Sequence, residues 1–243
     1  MTYTEQFAEI YEFIYQGRGK SWPAEAHEVD RIIRSRRSDV ASLLDVACGT
    51  GAHLETFASL YREVAGLEIA EPMRERASRR LPGVPVHAGD MRDFRLGRTF
   101  DAVTCMFNAI GYVGSVEELR DAVRCMAEHT APGGVVVVEP WWFPENFLDG
   151  HVAVDSRRVD GLAVARVSHT TREDRRTRLE VRFLVGEAGH GIREFSQTSD
   201  LMLFTRDEYL AAFADAGCPA EYLPDGLTGR GLFVGVRERS GGS

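Results

Sequence analysis

The chain has 243 residues, 44% of them hydrophobic and 27% charged, with a formal net charge of -8. That length suffices for one large α/β domain, with or without an inserted subdomain, and the acidic balance disfavours nucleic acid as the main partner. No apolar run nears the roughly 20 residues that cross a bilayer, and residues 1–9 lack a basic-then-apolar leader, so a cytoplasmic protein is expected.

Phe7, Ile10, Tyr11, Ile14 and Tyr15 recur at helical spacing and predict a first helix. Trp22-Pro23 opens a second, running to about Arg37, with its proline suited to the first turn. Ser42 to Ala47 reads as a buried parallel strand, Cys48-Gly49-Thr50-Gly51 as a tight turn and Ala52 to Leu60 as a helix. A strand from Glu63 to Leu67, ending at Glu68, a helix from Pro72 to Arg80 and a strand around Val84 to His87 follow. Phe100 to Met106 is the next strand, Val116 to Thr130 the next helix, and Ala131-Pro132-Gly133-Gly134 its terminator. Val135 to Val138 reads as a central strand. This alternation predicts a doubly wound, mainly parallel sheet over residues 1–150.

The pattern changes after Trp141-Trp142. Leu162 to Thr171, Arg178 to Val185 and Glu194 to Leu203 alternate polar and apolar residues, which predicts an antiparallel β insertion over 151–204 with one wet face. Thr205 caps a helix from Arg206 to about Ala216. Two strands, Ala220 to Leu223 and Gly231 to Val236, then form a hairpin that completes the core over 205–243, with a frayed end from Arg237. The cysteines, at 48, 105, 125 and 218, are scattered and show no metal-ligand spacing, so they read as reduced, mostly buried thiols.

Gly49 and Gly51 let the chain turn sharply and let a ligand approach the main chain at the carboxyl edge of the sheet. A dinucleotide fingerprint needs a third glycine three residues later to cradle pyrophosphate, and that position is Leu54. S-adenosylmethionine carries no phosphate and fits the turn better. Acids close three successive strands. Asp45 is placed to meet a charged amino group, Glu68 to accept ribose hydroxyls, and Asp90 to accept the adenine amine with Met91 packed on the ring. Met106 ends the fourth strand beside the methionine part of such a cofactor, and Tyr15, Trp22, Ala47 and Ile69 complete the candidate cofactor set.

Asp45 to Gly51, Gly89 to Phe94 and Ala131 to Gly134 resemble class I methyltransferases with a Rossmann-like sheet. Phe7 to Tyr11, Gly17 to Lys20, Val138 to Pro144, Arg166 to His169 and Gly229 to Gly235 resemble the N,N-dimethyltransferases of dTDP-3-amino-3,6-dideoxyhexoses, the desosamine and mycaminose type of antibiotic deoxysugar pathways. The resemblance implies a homodimer acting on a nucleotide-linked amino sugar, with the β insertion helping to form the sugar site. Arg166, Ser168, Arg182 and Arg230 are then candidates for the diphosphate and thymidine, Trp142 for stacking and His169 for a proton relay. Where the desosamine-type enzymes carry Ile-Gly-His, this chain reads Ile110-Gly111-Tyr112. Tyr15 and Tyr112 are the candidates for orienting the acceptor amine. Methylation of another small amine or hydroxyl, and a non-catalytic cofactor-binding protein, stay open as alternatives.

Overall fold

Short apolar runs without alternation must be covered on both faces, and the strands that hold them sit at the centre of the protein. The computed structural model describes residues 3–224 and 226–239. Its main sheet contains β1 (Ser42–Val46), β2 (Glu63–Glu68), β3 (Val86–Ala88), β4 (Phe100–Cys105), β5 (Thr130–Val138), β10 (Ala220–Leu223) and β11 (Leu232–Val236). Their spatial order is β10-β11-β5-β4-β1-β2-β3. The first five pair in parallel, whereas β11 pairs antiparallel to both β5 and β10, so the expected hairpin closes one edge.

Side chains leave each strand on alternate faces, and two layers cover them. Helices α2 (Trp22–Arg36) and α3 (Ala52–Leu60) pack with Leu43, Ala102, Val135 and Val137 on one face. On the other, α5 (Val116–Glu128) and α6 (Arg206–Asp215) pack with Leu44, Val103, Val136 and Val138. The Ser115 side chain caps α5, and Thr205 with Glu208 forms a capping box on α6. Helix α4 (Glu71–Arg80) follows β2 and buries Met73 and Ala77. Among the described residues no helix is long and apolar enough to cross a membrane.

The insertion forms its own four-stranded antiparallel meander of β6 (His151–Val159), β7 (Leu162–Glu173), β8 (Arg176–Glu187) and β9 (Gly191–Met202). Asp160 and Gly161, both with positive φ, make the two-residue turn between β6 and β7. Helix α1 (Glu5–Gly17) lies beneath the inner face of this sheet, where Phe7, Ile10 and Ile14 pack with Val164, Val181 and Phe183. The insertion and α1 thereby roof the carboxyl edge of the main sheet.

Three sequence expectations need adjustment. Ala131 to Gly134 is not a separate turn: β5 already begins at Thr130, and its pairing with β4 shifts register between Phe100 and Ala102. Strand β6 escapes the sequence reading because, at the sheet edge, its burial alternates weakly. Arg237 is not frayed, since its N–H donates to the Gly134 carbonyl at 2.9 Å; positions 240–243 of the expected frayed end lie outside the described residues.

Candidate active site

The strand order turns around at β1 and β4, and open α/β sheets bind ligands at the carboxyl ends of the strands beside such a reversal. Here a cavity of about 890 Å³ opens, floored by the main sheet and walled by α1 and the insertion. After β1 the backbone enters the left-handed region at Ala47, Gly49 and Gly51. A side chain at Gly49 would meet only open space, so the backbone there borders the cavity. Gly51 acts on the other side. A Cβ at that position would stand 3.1 Å from the Cβ of Ala77, so this glycine lets the turn lie close against α4. Gly51 does not line the cavity, which corrects its assignment as a direct contact.

The three strand-end acids differ in their surroundings. Asp45 is buried and accepts the Thr104 hydroxyl at 2.8 Å, and burial pushes its carboxyl up to about 6. Glu68 accepts the Gly49 N–H at 2.9 Å on one oxygen and the Ala70 N–H at 2.7 Å on the other. Burial raises its pKa despite these donors. Asp90 is ion-paired with Arg92 at 2.6 Å, and that partner holds its carboxyl low. All three line the cavity, as do Tyr15, Trp22, Ala47, Gly49, Ile69, Met91 and Met106.

The opposite wall is the inner face of the insertion. Arg166, Ser168 and Thr170 alternate along β7 and are buried, and Gln197 and Ser199 join them from β9. Buried polar side chains on the inside of a sheet carry a desolvation cost, so such a face is more than packing. The Arg166 guanidinium is held by Asp155 at 2.8 Å. His169 and Arg182 are the two sequence candidates for the substrate that do not line this cavity. Period two puts His169 on the opposite face from Ser168, and Arg182 pairs across the ladder with the exposed Val167. Both point outward.

Arg230 enters from the loop between β10 and β11. Its guanidinium lies 5.4 Å from the Trp141 ring centre and 5.3 Å from that of Trp142, and burial lowers its pKa. Its buried Nε has no hydrogen-bond partner among the described residues. Trp142 thus lines the cavity while stacking on this arginine.

Between the walls stands an aromatic cluster. The Tyr112 hydroxyl shares a hydrogen bond of 2.8 Å with that of Tyr3, and burial pushes the Tyr112 phenol up to about 12. The Tyr15 ring meets the Phe107 ring edge-on at 4.9 Å. Two further polar groups escape the sequence reading. The Lys20 side chain is buried, with its ammonium 3.7 Å from the Phe107 ring centre and 2.5 Å from Glu25, which also holds His53 at 2.8 Å. Burial lowers the lysine's pKa. Glu139, the residue after the valines of β5, is completely buried and accepts the Phe107 N–H at 2.7 Å. The signal that marks Asp45 and Glu68, an acid closing an apolar parallel strand, also marks Glu139 in the sequence.

Comparison with known proteins agrees with this geometry. Residues 43–134 match a methyltransferase domain model. The chain is 54% identical to the dTDP-3-amino-3,4,6-trideoxy-alpha-D-glucopyranose N,N-dimethyltransferase of Streptomyces venezuelae, covering 96% of this chain and 99% of that one. It is 51% identical to the dTDP-4-amino-2,3,4,6-tetradeoxy-D-glucose N,N-dimethyltransferase of Saccharopolyspora spinosa, over 97% and 94% of the two chains. Among solved structures, the amino pentose methyltransferase CalS10 of Micromonospora echinaspora, determined with S-adenosylmethionine bound, superposes with a TM-score of 0.88 at 59% identity, covering 94% of this chain and 96% of that one. With a Rossmann-like sheet, a glycine turn flanked by strand-end acids and relatives matched over nearly their full length, the chain belongs to the dTDP-amino-sugar N,N-dimethyltransferase family.

Proposed function

We propose that the protein transfers methyl groups from S-adenosylmethionine to the amine of a dTDP-linked amino sugar in antibiotic deoxysugar biosynthesis. The observation that carries this reading is one cavity with two chemically distinct walls, carboxylates at the strand ends and buried Arg166 and Ser168 on the insertion, with Arg230 between tryptophans. The main-sheet wall suits the cofactor. Asp45 offers a carboxylate for its ammonium, Lys20 a cation for its carboxylate, and Glu68 its remaining lone pairs for the ribose hydroxyls. Asp90, Met91 and Ile69 border the adenine end; Tyr15, Trp22, Ala47, Gly49 and Met106 enclose the methionine end. Arg166, Ser168 and Arg230 take the nucleotide part of the substrate, guanidinium forks matching phosphate oxygens.

When bound, S-adenosylmethionine would supply an electrophilic methyl on sulfur; a neutral amine would take that methyl as the carbon–sulfur bond breaks, leaving S-adenosylhomocysteine, and the proton released from the product amine would pass to solvent without a strong base. The chain's own contribution is placement, which is worth about 7–11 kcal/mol when reacting groups are well aligned. Tyr112 at about 12 is a neutral phenol near physiological pH; it orients the amine through a hydrogen bond and does not remove its proton. Tyr15, braced by Phe107, closes the same space against water.

We assign residues 1–150 and 205–243 to the cofactor-binding core and 151–204 to the acceptor wall. A homodimer is supported by the outer face of the insertion, where Val152, Val154, Val167 and Leu184 stand exposed. The free cysteines fit a cytoplasmic location.

The test is an endpoint mass spectrum of dTDP-3-amino-3,6-dideoxyglucose, its galacto epimer and a 4-amino counterpart, each incubated with protein and S-adenosylmethionine. A gain of two methyl groups on any of them supports the reading and gives the amine position. No gain on any, with cofactor still bound, overturns the amino-sugar assignment.

A further inference from the structure

Glu139 does not itself line the cavity, yet it is tied to two separate segments that do, the turn at Phe107 and the loop of Thr228 and Arg230. It is completely buried where β5 leaves the main sheet. One carboxylate oxygen accepts the Phe107 N–H at 2.7 Å. The other accepts the Thr228 hydroxyl and lies 3.7 Å from the Arg230 guanidinium. The first contact fixes an uncommon backbone. Phe107 and Asn108 are successive non-glycine residues at φ of 53° and 56°, a conformation that costs energy and persists only where the surroundings impose it. This turn follows directly on Met106 and carries the ring against which Tyr15 and Lys20 pack. The second contact fixes the loop that presents Arg230, whose buried Nε has no partner among the described residues and so retains an unused donor.

We propose that Glu139 is a positioning residue that couples the two ligands: the turn bordering the cofactor and the arginine facing the nucleotide share one buried carboxylate. An anion that draws Arg230 toward itself changes the load on that carboxylate, and the load is passed to the Phe107 N–H. A cofactor that settles the Phe107–Asn108 turn in turn sets the Thr228–Arg230 loop for the anion. Because such coupling is a property of the equilibrium, each ligand changes the affinity of the other by the same factor. The inference rests on the nucleotide-sugar reading of the Arg230 wall.

The test uses the full chain with two unreactive probes, S-adenosylhomocysteine and dTDP, titrated alone and together by calorimetry. In the unaltered protein, saturating dTDP is expected to tighten S-adenosylhomocysteine by about fivefold, and the reverse titration to show the same factor, within the usual range for coupled sites. Glu139→Gln keeps the shape and one acceptor for the Phe107 N–H but turns an amide donor toward Thr228 and Arg230. Its S-adenosylhomocysteine affinity alone should stay within about twofold, dTDP should weaken about tenfold, and the coupling factor should fall to about one. Thr228→Val removes a single link and keeps the charge; it should give an intermediate factor, which guards against a failure of the glutamine variant to fold. Coupling retained in full in both variants, or absent from the unaltered protein although both probes bind, overturns the proposal. Failure of dTDP to bind the unaltered protein instead overturns the nucleotide-sugar reading beneath it.

Discussion

The two walls of the cavity are both β-sheet, but they present chemistry in different ways. In the main sheet the buried strand interiors are largely apolar, and the acids that face the cavity sit at or just past the carboxyl ends of the strands, at Asp45, Glu68 and Asp90. In the insertion, the cavity-facing polar groups sit in mid-strand, with Arg166, Ser168 and Thr170 on the inner face of β7 and His169 between the latter two on the outer. A parallel sheet covered on both faces has only its ends to offer a ligand. An antiparallel sheet with one face on the cavity can offer every second residue along its length.

This difference is open to mutation, beginning at the main sheet. Glu68→Ala removes the ribose acceptor and releases the Gly49 and Ala70 N–H groups that hold the turn; at about 1.5–3 kcal/mol for each hydrogen bond to a charged group, cofactor affinity should fall about 100-fold in a calorimetric titration. A loss of less than about fivefold would place the ribose elsewhere. Asp45→Asn should cost about 30-fold at pH 7.5, as expected when a buried charged partner is removed, and should flatten the pH dependence of binding. In the unaltered protein the cofactor's ammonium favours ionised Asp45, so affinity should weaken as pH falls through about 6. The stability of the empty protein moves the opposite way. A carboxyl whose pKa is raised by folding contributes stability that is present at pH 4 and lost as pH rises through about 6, which a thermal melt series would show.

Smaller effects are expected on the insertion, and there the two faces should separate. Arg166→Met should raise KM for the sugar nucleotide about tenfold with kcat little changed, consistent with loss of one charge-assisted contact. Tyr112→Phe should lower kcat by only about threefold, because the phenol orients the amine without taking its proton. His169→Ala and Arg182→Ala should leave both constants within about twofold, as their side chains face away from the cavity. If either outward variant proved as damaging as Arg166→Met, the partition of the sheet into working and non-working faces would be wrong for the assembled protein.

The same contrast explains what the sequence could reveal. An acid at the end of an apolar run is a local signal, readable from half a dozen residues, and the three acids it marks all reach the cavity. Glu139 carries that signal too, at the end of Val135 to Val138, but its partners Phe107, Thr228 and Arg230 lie far from it in the chain. On the insertion the consecutive stretch Arg166 to His169 looks like one motif, and only the phase of the strand separates its inward from its outward members. Once Ser168 is placed inward, period two brings in Thr170 and removes His169, while the ladder partner Val181 removes Arg182. Lys20 has Trp22 and Glu25 near it in the chain, but the ring that covers its ammonium, Phe107, comes from a segment far away in sequence, so no local pattern announces its burial. Gly51 was legible as a turn residue but not as the point where α4 rests, for the same reason.

The four strands of the insertion run consecutively, from His151 to Met202, and are joined only by short turns. Nearly all of one cavity wall is therefore written in a single uninterrupted stretch of gene. One recombination event spanning that stretch would exchange the wall proposed to meet the acceptor while leaving the strand-end acids in place. Point substitutions at alternate codons would retune the same surface more gradually. On the proposed division of the two walls, a lineage built this way could change the acceptor it takes without reinventing the way it handles the methyl donor.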